Sequence, residues 1–130
     1  MTNPSDDPLV QYILIRRDLQ QELGWSVGSL IAQGAHAAIA ALADAMGEES
    51  VQQYLSIARQ QDPDGPQMHK VVLEVKNIEM LLKFSDKLKE AQILHHVWNE
   101  CPEMTPTCLC TIPYLRSKLK PLFKGLPLFR

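Results

Sequence analysis

Leu9 to Ile15 (LVQYILI) is an apolar, β-branched run closed by Arg16, Arg17 and Asp18, and no other segment limits the fold of this chain as strongly. A strand that presents apolar side chains in both directions has to be covered on both faces. That requirement points to a parallel or mixed central sheet with helices on either side. At 130 residues and 45% hydrophobic composition, the chain is long and apolar enough for one such unit. The opening MTNPSDDP has two prolines, two aspartates and nothing to bury, so residues 1–8 read as a flexible lead-in and residues 9–130 as the folded domain.

The remaining segments fit that frame. Ser26 is a suitable N-cap for a helix running to about Met46, where Gly47 stops it, with Val27, Leu30, Ile31, Ala38, Ile39, Leu42 and Met46 as its apolar stripe. Eight of the fourteen residues from Ala32 to Ala45 are alanine, which lets this helix lie close to a sheet. Glu49 to Arg59 reads as a shorter helix facing inward through Val51, Tyr54, Leu55 and Ala58, and DPDGP then breaks the chain. Lys70 to Val75 (KVVLEV) is a second strand, and Asn77 caps a helix with the stripe Ile78, Leu81, Leu82, Ser85 and Leu88. Ile93 to Trp98 and Thr107 to Ile112 are a third and a fourth strand, joined by a connection short enough for an antiparallel pair. Pro121 limits any last helix to the turns before it, or kinks it. The expected architecture is α/β, a three-layer α/β/α arrangement with a four-stranded mixed sheet flanked by helices.

Charge is polarised along the chain. Residues 1–66 carry three basic and nine acidic side chains, net −6, and residues 67–130 carry ten basic and six acidic, net +4. An overall charge of −2 argues against a general nucleic-acid coat. The terminal cations Arg116, Lys118, Lys120, Lys124 and Arg130 have no carboxylate among them, so phosphate contacts would draw on them, unless they are simply a solvated face. Three cysteines without a signal-peptide pattern point to a reducing, cytoplasmic setting, and no apolar run is long enough to predict a membrane segment.

Gln33 and His36 are three apart and so share a helix face, expected one turn in from the N-terminus, where the helix dipole favours anions. Asn99 and Glu100 would emerge at the same sheet edge if the third strand runs parallel to the first. His36 and Glu100 could then converge as general base and orienting carboxylate. His95 and His96 point to opposite faces of their strand, so at most one can serve a given site. Cys108 and Cys110, even with Cys101 and a histidine, lack metal-ligand spacing, and Cys101 has no basic neighbour in sequence to activate its thiol. Trp25 and Trp98 stand beside the candidate loops, where they could stack a base or pack in the core. P-loop, dinucleotide and nucleophile-elbow motifs are lacking.

The run G28-S-L-I-A-Q-G-A-H-A-A38, preceded by QYILIRRDL and followed by KVVLEV, resembles the signature helix and first two strands of type II peptidyl-tRNA hydrolases. It is most similar to the subfamily of peptidyl-tRNA hydrolase domain-containing proteins. The resemblance implies hydrolysis of the ester between a peptide and the 3′ ribose of tRNA, without metal or organic cofactor. It carries Gln33, His36 and Glu100 over as catalytic positions, Glu100 standing where the hydrolases have an aspartate. Trp25, Ser29, Asn99, Thr107, Lys118 and Lys120 become candidate substrate or RNA contacts, with tRNA or peptidyl-tRNA as partner and a homodimer as the state related hydrolases often adopt. The sequence departs from the family where a lysine-rich approach to the helix reads Gly24, Val27 and Ser29, and where CPEMTP replaces A-G-R-T-Q. A catalytically lapsed RNA- or protein-binding module on the same fold is the alternative.

Overall fold

In the computed structural model, which describes residues 6–130, the sheet runs β2-β1-β4-β3. β1 (Leu9–Arg16) is parallel to β2 (His69–Val75) and antiparallel to β4 (Thr105–Thr111), which in turn is antiparallel to β3 (His95–Glu100). The expected mixed four-stranded sheet is therefore present. A short fifth strand that sequence did not reveal, β5 (Tyr114–Leu115), pairs with the start of β1. Most of the expected lead-in, residues 1–5, lies outside the described residues. Asp7 and Pro8 are anchored: Asp7 accepts from the Ser117 backbone N–H (2.8 Å) and hydroxyl (2.6 Å), and the Pro8 carbonyl from Arg116 N–H (3.0 Å).

β1 is buried in both directions, as its composition demands. Ile13 and Ile15 join one core under α2 (Val27–Asp44), while Val10, Tyr12 and Leu14 join a second core under α4 (Ile78–Glu90). Gln11, within the apolar run, is fully buried because its amide is satisfied, donating to the carbonyls of Ala38 (3.3 Å) and Thr111 (3.0 Å). A four-residue helix, α1 (Asp18–Gln21), follows β1, and α3 (Glu49–Gln60) adds Val51 to the first core. After β5 come α5 (Arg116–Leu119) and a 3-10 turn over Lys120–Phe123, so the chain stops being α-helical just before Pro121. Leu128 bridges to Leu73, and the Phe129 N–H donates to the Val72 carbonyl (2.9 Å), which covers the free edge of β2.

Two expectations need correction. β3 extends to Glu100 instead of ending at Trp98, because Asn99 and Glu100 still pair with Pro106 and Thr105. The stripe assigned to α2 is also displaced: Ile31 and Ile39 are 67% and 68% exposed, and Val27 and Met46 face outward too. Leu30 and Ala38 of that stripe are buried and Leu42 packs against the core, and the rest of the buried face is Gln33, Gly34, Ala37 and Ala41. Small residues make up most of this face and bring helix and sheet close, so that a Cβ on Gly34 would stand 3.5 Å from Ile15. Beside Leu30 and Gln33, the larger Ile31 and Ile39 are left outside. Accordingly Ile39→Gln is expected to change the unfolding free energy by less than about 0.5 kcal/mol. Ala37→Gln, at a position with no exposure, is expected to cost about 2 kcal/mol or more through overpacking and an unpaired amide. Urea midpoints of the two variants would decide the matter.

α2 is also the one described helix long and apolar enough by composition to cross a membrane. Here it is a core helix: its alanine face lies on the sheet and Gln33 is hydrogen-bonded across to β3 and β4.

Candidate functional site

Because β4 lies antiparallel between them, β1 and β3 run the same way, and their C-terminal ends meet the start of β4 at one sheet edge. Ligands of open α/β sheets gather at such an edge. α2 packs over it, and its small-residue face brings Gln33 within reach of both β3 and β4.

Gln33 is 3% exposed and bonded at both ends of its amide. Its Nε2 donates to Glu100 Oε2 (2.7 Å) and its Oε1 accepts from the Thr107 hydroxyl (2.7 Å). An ionised carboxylate only accepts, so the amide nitrogen must face Glu100 and Thr107 must donate. One amide proton of Gln33 is left over. The other Glu100 oxygen accepts from the Trp98 indole N–H (3.2 Å). These two bonds, that of Gln33 first, hold the Glu100 carboxyl below its ordinary value of 4.5 against the opposing effect of desolvation, with a smaller attraction from His36.

Glu100 is thus ionised at neutral pH. A depressed folded-state value means that the stability linked to this carboxylate is complete above the ordinary value and is lost as pH falls through the lowered one. The Gln33 side-chain amide resonances are therefore expected to shift only below pH 4.5, and Glu100→Gln should remove that transition. A transition above that pH would contradict the assigned bond.

His36 is half-buried and, among the described residues, has no hydrogen bond to Glu100. Its ring is held instead by stacking on Trp98, with centroids 4.8 Å apart and planes 28° from parallel. Trp98 therefore touches both the imidazole and the carboxylate. Sequence reasoning gave it base stacking or core packing, and it does pack against the first core. Its contacts with His36 and Glu100 were not foreseen, although alternation puts His96, Trp98 and Glu100 on one strand face. His96 lies on that face, its Nδ1 2.5 Å from Asp44 Oδ2 on α2, while His95 on the other face bonds to Ser85 of α4 (2.7 Å).

The helix dipole contributes less than its sequence position suggested. With Ser26 as N-cap, its hydroxyl accepting from Ser29 N–H (3.1 Å), Gln33 lies two turns into α2 and not one. The dipole's effect falls off within the first turn.

The other candidates are dispersed. Ser29 is exposed on the first turn of α2, and Trp25 packs against the core beneath that helix. The Asn99 amide donates to Val97 of its own strand (3.3 Å) and does not join Gln33, Glu100 or Thr107. Lys118 and Lys120 lie next to β5, which pairs with Leu9 and Val10, whereas Thr107 lies level with Arg16. Six residues of strand separate these levels, about 20 Å. The two lysines therefore belong to the opposite end of the sheet. Arg16, which sequence reasoning passed over, is buried at the site end, where its guanidinium binds Asp18 (2.8 and 2.9 Å) and the Pro106 carbonyl (2.9 Å). Cys108 lies beneath the site with its thiol on the Gln33 carbonyl (3.1 Å), and burial pushes its pKa up to about 12. That sulfur is a packed thiol and not a nucleophile.

The model of the family described as peptidyl-tRNA hydrolase PTH2 matches residues 9–129. Among similar proteins, one from Homo sapiens and one from Mus musculus, both carrying the provisional name peptidyl-tRNA hydrolase PTRHD1, are each 34% identical over 123 residues. Each match spans 94% of this chain and 83% of the relative.

Proposed function

This chain belongs to the peptidyl-tRNA hydrolase PTH2 family, and from that premise we propose that it hydrolyses the ester joining a peptide to the 3′ ribose of tRNA. The observation that carries the proposal is the bonded row Glu100–Gln33–Thr107 beside the Trp98-stacked imidazole of His36. In this reading water attacks the ester carbonyl while His36 takes its proton, and the protonated imidazole returns that proton to the departing ribose oxygen. Carboxylic acid and ribose hydroxyl are the products, and His36 is regenerated. The free amide proton of Gln33 stabilises the oxyanion that forms on the carbonyl. Glu100 and Thr107 fix the direction in which that proton points, and Glu100 places a negative charge near the imidazolium.

The half-open position of the group at a sheet edge suits a substrate as large as tRNA. Trp25, Ser29 and Asn99 border the same end and would meet the acceptor strand, whereas Lys118 and Lys120 could reach only a more distant phosphate. The reading places the protein in a reducing cytoplasm, where Cys101, Cys108 and Cys110 stay as thiols.

A second reading has one specific observation behind it. The exposed positions Gly24, Val27 and Ser29 at the entry to α2 present no cation where phosphate would approach. A binding module that holds the acceptor end without cleaving it would follow from weakened charge stabilisation. Single-turnover release of tRNA from an N-blocked aminoacyl-tRNA at saturating protein separates the two. Release well above the protein-free rate is expected for the hydrolase, whereas salt-sensitive tRNA binding without release would assign the module.

A further inference from the structure

On the side of α2 away from Gln33 and His36, a groove of about 570 Å³ runs between the helix and the C-terminal segment. Its floor is Ile13, Ile15 and Val72, its walls are apolar residues of α2 and Phe129, and no acidic side chain lines it. Lys70 stands at the β2 end, with Gln20 and Arg130 also on its border.

The Lys70 head is held by a built polar network. Its ammonium donates to Gln11 Oε1 (2.8 Å) and to the Tyr54 hydroxyl (3.0 Å). Gln11 and Tyr54 are themselves buried, and the rest of the Gln11 amide is spent on Ala38 and Thr111. Two of the three ammonium donors thus go to neutral acceptors, and among the described residues no carboxylate lies within ion-pair distance of it. Lys70 as a whole is exposed, but partial desolvation where its head meets Gln11 and Tyr54 lowers its pKa, with Cys110 acting the other way. A hollow of this volume, with apolar walls, a hydrogen-bonded ammonium and Gln20 and Arg130 at its border, has the make-up of a small-molecule site.

We propose that this groove binds a small amphiphilic anion, a carboxylate with a hydrocarbon body, whose head takes the third donor of Lys70 and whose body lies on Ile13, Ile15 and Val72. Charge complementarity selects this occupant: an apolar neutral ligand leaves the ammonium unanswered, and a cationic one is repelled by it. The site uses neither His36 nor Glu100, so it stands whether or not the hydrolase assignment does.

Titration with decanoate, followed through methyl resonances, tests the proposal, with decan-1-ol as the neutral counterpart. Saturable one-to-one binding is expected, with shifts at Ile13, Ile15 and Val72. Decanol should bind at least about tenfold more weakly, and Lys70→Met should weaken decanoate by about tenfold or more, the size expected for loss of a hydrogen bond to a charged group. Lys118→Met should have no effect. Because Lys70→Met also removes a partner of Gln11, Ala35→Trp provides a second variant that keeps the lysine and fills the groove, and it should abolish binding. Equal affinity for acid and alcohol, indifference to Lys70→Met in a folded protein, or no saturable shift would overturn the proposal. So would concentration-dependent shifts of the same methyls without ligand, because a second copy of the chain would then occupy the groove.

Discussion

Replacing His36 with alanine is expected to slow single-turnover release of tRNA by about 10²- to 10⁴-fold, the contribution of a positioned general base and acid. The substitution removes the imidazole stacked on Trp98 beside the Gln33–Glu100–Thr107 row, His96 on the same strand face being engaged with Asp44, and leaves that row's hydrogen bonds intact. Its structural cost is small, because His36 is half-buried and loses one aromatic stack on Trp98, worth about 0.5–1.5 kcal/mol. Thermal unfolding and tRNA affinity should therefore change little while the chemical step collapses. Equal release by wild type and His36→Ala would remove the imidazole from the mechanism. Absence of release by the wild type at saturating protein would end the hydrolase proposal for this substrate and leave the family and the fold standing.

Leu14→Ala is expected to destabilise the protein by about 3–5 kcal/mol. Leu14 has 0% exposure at the middle of β1, and it pairs with Leu73 of β2 on one side and Leu109 of β4 on the other. Both neighbours belong to the same core beneath α4. Strands clamped on both sides cannot move together to close the cavity, so the full transfer and cavity costs should appear. For a domain of this size the loss corresponds to a fall in Tm of roughly 10–20 °C. Urea unfolding should show a lower midpoint at an unchanged slope. Leu14→Met, which nearly conserves volume, should cost less than about 1.5 kcal/mol. A loss under about 1 kcal/mol for the alanine variant would show that this core can collapse around the missing side chain.

These two effects live on different links between sequence and function. Leu14 acts through burial, which the apolar run from Leu9 to Ile15 already announces. His36 acts through its neighbours, and a histidine among alanines says nothing by itself about what those neighbours are. Its stacking partner comes from β3, 62 residues further along the chain. That β3 would be antiparallel to β4 was legible from the short connection between them, whereas the antiparallel pairing of β4 with β1, which makes β3 codirectional with β1, was decided by the tertiary structure. The meeting of Gln33 with Glu100 and Thr107 at one edge follows from this topology. The detailed bonding does not: sequence reasoning paired Glu100 with His36, whereas Glu100 is bonded to Gln33 and Trp98.

The same division holds for α2. Its existence, its Ser26 cap and its alanine content are local properties, fixed by backbone propensity and capping chemistry. Which side it buries is not local. The expected stripe joined Leu30, Ala38 and Leu42, which do face the core, to the larger residues Val27, Ile31 and Ile39, which do not. Packing set the face, because Leu30 and the small residues admit the helix close enough for Gln33 to reach β3 and β4.

The sequence by itself determined the mixed sheet, the helices on both its faces and the residue types available to the site, since these depend on hydrophobic pattern, caps and turns read over a few residues at a time. Only the tertiary structure decided that Trp98 holds His36, that Lys118 and Lys120 stand at the far end of the sheet, and that Lys70 faces an apolar groove. Each of these depends on distances between segments far apart in the chain, which are set by strand order, register and close packing together.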